Sequence, residues 1–365
     1  MNVARRVLFS LLPAVVAVVL AMVVTGLVIA VTGGSAGQFY STILSVPIPR
    51  VSVTIVNQTA MIAISAFAAA IAFRMNLFNI GVEGQYIAGS CAGAFFAGSG
   101  LISGPAVIPA TLVVAVVAGA AWASIGGFLL VGRGVSEVIS AIMLNYVALT
   151  LAGYLVNRYG VSSGYTFTTN PLELNQQPVG FQVVDGPYQV WALAIIAVLV
   201  AIGYWLLINH TRFGFDLRAT GTSSTAAAAS GVDAKKMTLI AMALSGGVAG
   251  LVWMPAFFGS VHKFGIPENF QSGLGFTGLA VALLGRNRSV GIMVGSLLFA
   301  FLSAQSNDLQ SVGVAPEIIS ITQGVVVLAV VVAYEIVRRL QIRREQETVA
   351  RELDSARPAP EEASR

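Results

Sequence analysis

The chain has 365 residues, 56% of them hydrophobic and only 10% charged, where a globular protein carries about 25% charged residues. Its net charge of +4 comes from cations at the ends of apolar runs, and no basic patch interleaved with aromatics argues for nucleic acid. One cysteine, Cys91, excludes an internal disulfide and a cysteine-built zinc site, and His210 and His262 fall in loops on opposite sides of the membrane, too far apart to share a metal.

Ten apolar segments follow in order, at 7–31, 51–73, 80–99, 105–131, 137–157, 189–208, 237–258, 274–285, 290–306 and 316–337. The first follows a basic start, Met1 to Arg6, but its roughly 25 residues exceed the about 7–15 of a cleaved signal core. It reads as a membrane helix with the N-terminus inside. Among the 20 Lys and Arg, only Arg50, Arg158 and Lys263 then fall outside. The expected fold is an all-α polytopic membrane protein of about ten transmembrane helices in two five-helix halves, both termini cytoplasmic. Residues 1–337 form the transmembrane domain, and 338–365 a charged, partly disordered cytoplasmic tail. Arg343–Glu347 and Glu347–Arg351 are helical pairs that extend the last helix until Pro358 and Pro360 end it. No function attaches to this tail.

Two segments are irregular. The third is rich in Gly and Ala and begins with Asn79, Glu83 and Gln85. The eighth has about 12 residues where a span needs about 20. Each is the third of its half, and paired short or broken helices at matching positions point to a transport pathway. The outer loops 32–50, 158–188 and 259–273, with turn signals such as Asn170-Pro171 and Asp185-Gly186-Pro187, offer a surface for a partner.

Residues 209–236 are polar and basic. Thr222, Ser223 and Ser224 are N-cap candidates, Ala226 to Ala229 favour helix, and Gly231 suits the position past a helix end. A connecting loop that holds its own helix reads as a docking element for a cytoplasmic partner; the plain alternative is a solvated loop.

Polar side chains within lipid are costly and mark candidate sites. They are Asn57 and Gln58, Asn79, Glu83 and Gln85, Glu137 and Asn145, and Gln305, Asn307 and Asp308. The structural alternative for Glu83 is a first-turn carboxylate on a helix capped by Asn79. Asn145 either meets substrate or joins two helices. Gly89-x-x-x-Gly93 and Gly246-x-x-x-Gly250 predict close helix contacts. No phosphate-binding GxxxxGK[ST], HExxH, GxSxG or Ser/His/Asp grouping is present.

Phe78-Asn79-Ile80-Gly81-Val82-Glu83-Gly84-Gln85, Gly134 to Ile139 with Met143-Leu144-Asn145-Tyr146, and the Phe213–Gly231 loop resemble the permease subunits of bacterial ABC importers. The resemblance is to the ribose/galactoside-type superfamily, in its nucleoside branch, which works with a basic-membrane-protein type lipoprotein. It covers about 50–335. It implies nucleoside translocation by alternating access in a bacterial cell membrane. A substrate-binding lipoprotein delivers at the outer face, a second permease, identical or different, completes the pathway, and ABC ATPase subunits use ATP and Mg. This chain is then not an enzyme and binds no cofactor itself. The candidate substrate pathway is taken from the polar intramembrane residues above: Asn57 and Gln58 at an outer vestibule, with Asn79, Glu83, Gln85 and Asn145. The implied ATPase-coupling residues are Gly214, Arg218, Gly221, Ala226, Ala227, Ala228 and Gly231. Thr222, Ser223 and Ser224 depart from the polar pair usual after the second glycine. Rival readings are a permease for simple sugars or branched-chain amino acids, and an ion-coupled secondary transporter. The latter leaves the docking loop unexplained. A membrane-embedded enzyme lacks a plausible His, Cys or metal cluster.

Overall fold

A computed structural model of the chain describes residues 19, 22–31, 35–44, 47–267, 270–305, 310, 318–330, 332, 336, 339 and 346. Expectations resting on residues 1–18, Gly33 and Gly34, Glu268, Asn269, Asn307, Asp308 and nearly all of the 338–365 tail lie outside these. Among the described residues, five helices are long and apolar enough to cross a bilayer: Pro49–Phe73, Gly104–Arg133, Glu137–Tyr159, Ala192–His210 and Ala234–Val261. Met22–Val31, Leu274–Leu284, Ser289–Ala304 and Ile318–Val330 are shorter apolar helices. The chain is a polytopic helical membrane protein.

It divides into two compact units, residues 1–40 with 309–365, and residues 41–308. In the first, α1 (Met22–Val31) meets the start of α2 (Ala36–Leu44): the Tyr40 hydroxyl donates to the Met22 carbonyl. The described part of its C-terminal half is the helix Ile318–Val330, in which the Thr322 hydroxyl donates to the Ile318 carbonyl.

The second unit is built around α3 (Pro49–Phe73), which is buried without interruption from Ala60 to Ala72. A helix apolar and small on every side belongs inside a bundle. Around it stand α4 (Val82–Ala97), α7 (Ile195–His210), α10 (Ala234–Gly250), α12 (Leu274–Leu284) and α13 (Ser289–Ala304). Further out lie α5 (Val107–Arg133) and α6 (Glu137–Tyr159). These two leave long apolar faces exposed, with Val113, Val117 and Phe128 on one and Ile139, Met143 and Tyr146 on the other. Such faces suit lipid or another apolar surface.

Glycines set the tightest contact, between α5 and α10. A Cβ on Gly119 would lie 2.2 Å from the Gly246 carbonyl oxygen, and one on Gly250 2.1 Å from that of Ala115. Gly89 of α4 meets the same place, its Cβ position 2.5 Å from Gly250 Cα. The two small-residue spacings of the sequence thus converge on one three-helix contact.

One end of this unit is basic, carrying Arg74, Arg133, Arg212, Arg218, Lys235, Lys236, Arg286 and Arg288. The other carries the 160–191 loop. Nothing in the sequence suggests strands, yet this loop holds a hairpin of β1 (Val161–Ser163) and β2 (Thr166–Thr168), paired antiparallel with Ser162 opposite Phe167. Gly164, at φ +65°, allows the tight turn. Beyond Gly250, α10 bends through Trp253 into a short turn, α11 (Met254–Ala256), and a π-helical turn, Phe257–Val261. Pro255 supplies no N–H and breaks the ladder there.

Gly250→Ala should therefore lower stability by about 1–3 kcal/mol, because backbone rather than a side chain must yield. Gly203→Ala, with nothing within 4 Å, should stay within about 0.5 kcal/mol of the parent. Thermal unfolding in detergent compares the two; equal midpoints would mean the α5–α10 contact is slack.

Candidate functional site

The third segment has an irregular approach to a continuous helix. After α3 ends at Phe73, the chain turns at Asn76 (φ +59°), runs extended through 77–79, and starts α4 only at Val82. The expected N-cap, Asn79, is not in the cap position; Gly81 is, and Asn79 Oδ1 accepts from the Gly81 N–H at 3.0 Å. Asn79 also exchanges two hydrogen bonds with the Gln85 amide, at 3.1 and 3.0 Å, and donates to Ser245 Oγ at 2.8 Å. Ser245 in turn donates to the Ala68 carbonyl of α3. Asn145 of α6 closes the other side, accepting from the Gly84 N–H at 2.8 Å and donating to the Ile80 carbonyl at 3.1 Å.

Glu83 joins this irregular start to a second one. Its two carboxylate oxygens accept from the N–H groups of Gly273 (2.7 Å) and Gly275 (2.8 Å), at the start of α12. It therefore caps a neighbouring helix rather than its own. Helix N-termini leave donors unpaired and carry partial positive charge, so a buried carboxylate between two of them is stabilised by both. Tyr86 Oη lies 3.1 Å from Glu83 and donates to the Gln271 carbonyl at 2.7 Å. Gly275 is required: a Cβ there would sit 2.5 Å from the Glu83 nitrogen.

The depth follows from α3. Ser65 donates to the Leu274 carbonyl at 2.8 Å, and Arg74 reaches the carbonyl of Asn287, just past α12. Ser65 and Arg74 are separated by about 13 Å of helix, and α12 is about 16 Å long. So α12 is a half-length helix lying along the last third of α3, with its capped start well inside the bundle.

At the basic end Arg74 makes a second knot. Its Nε donates to Tyr204 Oη at 3.1 Å, and the Tyr204 hydroxyl donates to the Asn287 carbonyl at 2.7 Å. Against this knot rests α8 (Arg212–Thr222), which the sequence did not suggest as a helix of its own. Gly221 lies against Arg74 and Met75, and Gly214 against Leu207 and Ile208; a Cβ at either would come within 2.5 Å of a carbonyl oxygen. Arg218 donates to the Ile208 carbonyl at 2.7 Å, which holds α8 to the end of α7. The expected alanine helix follows as α9 (Ser224–Ala229), capped by Ser223. Gly231 follows it in the left-handed region, at φ +87°. Ala226 and Ala228 are exposed and Ala227 is buried.

At the hairpin end a cleft opens between α3 and the bent 253–261 segment. Its inner lobe, about 370 Å³, is lined by Thr54, Asn57, Gln58, Met61, Trp191, Trp253, Ala256, Ser260, Val261, Phe270 and Gln271. An outer lobe of about 530 Å³ shares Thr54, Asn57, Trp191 and Ser260 and adds Tyr188, Gln189 and His262. Asn57 is spent on structure: it donates to the Gln189 carbonyl at 3.0 Å and accepts from the Trp191 N–H at 2.9 Å, which fixes Trp191. The floor is Phe270, stacked on Tyr86 with centroids 5.2 Å apart and 5.5 Å from the Trp253 ring. A separate groove of about 490 Å³ between α4, α5 and α6 is lined by alanines, aliphatics, aromatics and Cys91, and offers a polar solute only Trp122, Tyr159 and the Cys91 thiol.

The structure brings Asn79, Glu83, Gln85 and Asn145 together around the two irregular segments, where they bond backbone and one another. Asn57 and Gln58 stand apart, at the cleft. Glu137 lines a small cavity together with Asn79 and Gln85, while Gln305 stands in neither cluster and donates to the Thr42 carbonyl at 3.0 Å. Sequence reading missed Arg74, Tyr86, Trp191, Trp253, Phe270 and Gln271. The aromatics look like ordinary membrane core in one dimension; Pro255, directly after Trp253 and Met254, was the available sign of a break.

Glu83→Ala strands two backbone donors at about 1–3 kcal/mol each. Hydrogen exchange of the 270–276 backbone should rise sharply in that variant, whereas Tyr86→Phe, which keeps both carboxylate bonds, should leave it nearly unchanged. Unaltered exchange in Glu83→Ala would refute the capping role.

Residues 51–331 match the family of the branched-chain amino acid transport system / permease component. The guanosine ABC transporter permease protein NupP of Bacillus subtilis is 34% identical over 90% of this chain and 95% of its own. The nucleoside ABC transporter permease protein NupB of Lactococcus lactis is 30% identical over 74% of this chain and 76% of its own. The glucose ABC transporter permease protein TsgB13 of Haloferax volcanii is 29% identical over 70% and 69%. No solved structure matches. The extent of the family match and the coverage of these relatives establish that the chain belongs to the branched-chain amino acid transport system / permease component family and is an integral membrane permease.

Proposed function

We propose that this permease moves nucleosides inward through a bacterial cell membrane as one subunit of an ATP-driven importer. The similarity to guanosine and nucleoside permeases supports the substrate class. The observation that carries the ATP-driven reading is the α8–α9 platform at the basic end. Two glycines and Arg218 seat it rigidly against α3 and α7, while Ala226, Ala228 and Gly231 stay exposed for a partner.

In this reading the chain has ten spans, with residues 1–337 in the membrane domain, the 338–365 tail and both termini cytoplasmic, and the basic end inside. The two half-length segments, third in each five-helix half, form the moving centre. Asn57 and Gln58 belong to the outer vestibule. Asn79, Glu83, Gln85 and Asn145 frame the pathway below it. Gly214, Arg218, Gly221, Ala226, Ala227, Ala228 and Gly231 form the coupling element, the glycines at 214 and 221, Arg218 and Ala227 seating it and Ala226, Ala228 and Gly231 facing the partner. ATP and Mg act in the partner ATPase, and this chain binds neither. A second permease, the same or a different chain, completes the pathway, and an extracytoplasmic substrate-binding lipoprotein delivers the solute. An ion-coupled carrier has no use for a helix platform at the basic end.

The decisive preparation is the complex purified through a tag on this chain. An ATPase subunit should co-purify, and nucleoside-loaded binding protein should stimulate its hydrolysis. Arg218→Glu sets a carboxylate against the Ile208 carbonyl and should cut uptake at least about tenfold through like-charge repulsion at a helix end, with membrane insertion intact. A chain that purifies alone and moves solute down an ion gradient would overturn the proposal.

A further inference from the structure

The hairpin-end cleft has a chemistry of its own. Trp191 borders the cleft, and Phe270 closes the floor, backed by Trp253, which is only 2% exposed. Between them are amides and hydroxyls, Gln58, Gln271, Thr54 and Ser260. Among the described residues of either lobe there is no Asp, Glu, Lys or Arg. The one titratable base, His262, lies beyond the end of the Ala234–Val261 span, and burial holds its imidazole below the usual histidine range, against the opposing bond to Phe257. It is therefore neutral at neutral pH, and so is the lining that the described residues form.

Two polar atoms here have no partner. Gln58 Oε1 in the inner lobe and His262 Nδ1 in the outer lobe are both buried and unbonded. The neighbouring amide of Asn57 bonds backbone on both sides. A polar atom left unpaired in an apolar setting costs about 1–3 kcal/mol, so a ligand that pairs with it gains that much over one that cannot.

The combination selects among solutes. A carboxylate, ammonium or phosphate would enter without a counter-charge, which disfavours amino acids and nucleotides. A simple sugar would use the amides but waste the indole faces. A planar heterocycle with polar edges and an uncharged hydroxylated tail uses both, with its ring against Trp191 and Phe270 and its edges on Gln58.

We infer that this cleft is an intermediate nucleobase subsite, in which Gln58 bonds the base edge through a turn of its amide and the aromatic walls hold the ring. The inference rests on the nucleoside reading above and adds where the base is held. The inner lobe ends on Phe270, which stacks on Tyr86, so an occupant lies one ring away from the Glu83 cap.

The test uses the complete transporter with its binding protein in proteoliposomes. Gln58→Leu keeps the side chain's bulk and loses its amide; KM for guanosine uptake should rise about tenfold with kcat largely kept, the loss expected for one hydrogen bond. Gln58→Cys gives a second readout. The native Cys91 is buried, so a charged maleimide should label the introduced thiol, and guanosine should slow that labelling while leucine and GMP should not. Guanosine transport by the parent with neither a KM change nor protection would overturn the subsite and leave the permease reading standing. If the parent moves leucine or glucose and no nucleoside, the nucleoside reading fails, and the subsite fails with it.

Discussion

Two helix beginnings meet around one carboxylate. Inside a bilayer no water completes the donors at a helix start, so a helix that begins there must find its acceptors in protein. Glu83 supplies both oxygens to α12 while standing in the first turn of α4. Asn145 and Asn79 do the same service for the turn before α4. Without these side chains neither half-length segment is affordable inside the bundle. With them, the centre of the fold has two short helices that end against polar groups rather than against lipid.

That arrangement links the two ends of the molecule. The start of α12 is held by Glu83, and the turn after it by Arg74 and Tyr204. The platform α8 rests on Arg74 and Met75 through Gly221. On the other side, Tyr86 joins Glu83 to Gln271 and Phe270, the floor of the cleft. A contiguous set of packed, hydrogen-bonded parts therefore runs from the basic platform along a rigid half-helix to the cleft. Such continuity is what a displacement at one end needs in order to reach the other.

The bend in α10 has a complementary role. Pro255 and the π-turn after it open the ladder beside the cleft that Trp253 and Ser260 line. Farther along the same helix, Gly246 and Gly250 lock it to α5. One helix is thus fixed over its first part and irregular toward its C-terminal end.

The sequence by itself determined that the chain is a polytopic membrane protein, because long apolar runs with cations at their ends permit little else. It also marked the third and eighth segments as irregular and placed an alanine helix, capped from among Thr222, Ser223 and Ser224, before Gly231, since caps, alanines and glycines act locally. Which polar groups meet was a tertiary matter. Glu83 reads in one dimension as a cap for its own helix, and only packing brings Gly273 and Gly275, some 190 residues later, to its oxygens. Asn145 could have been a ligand or a brace in one dimension, and only the fold shows that it bonds the Gly84 N–H and the Ile80 carbonyl. The glycines of the 214–221 stretch resemble a family signature in the sequence, but their physical reason, carbonyls of α3 and α7 closer than a Cβ allows, exists only in the folded chain. The cleft is the extreme case. Its aromatics come from three distant stretches, and no local spacing distinguishes them from membrane core until the bent helix sets them around the same space.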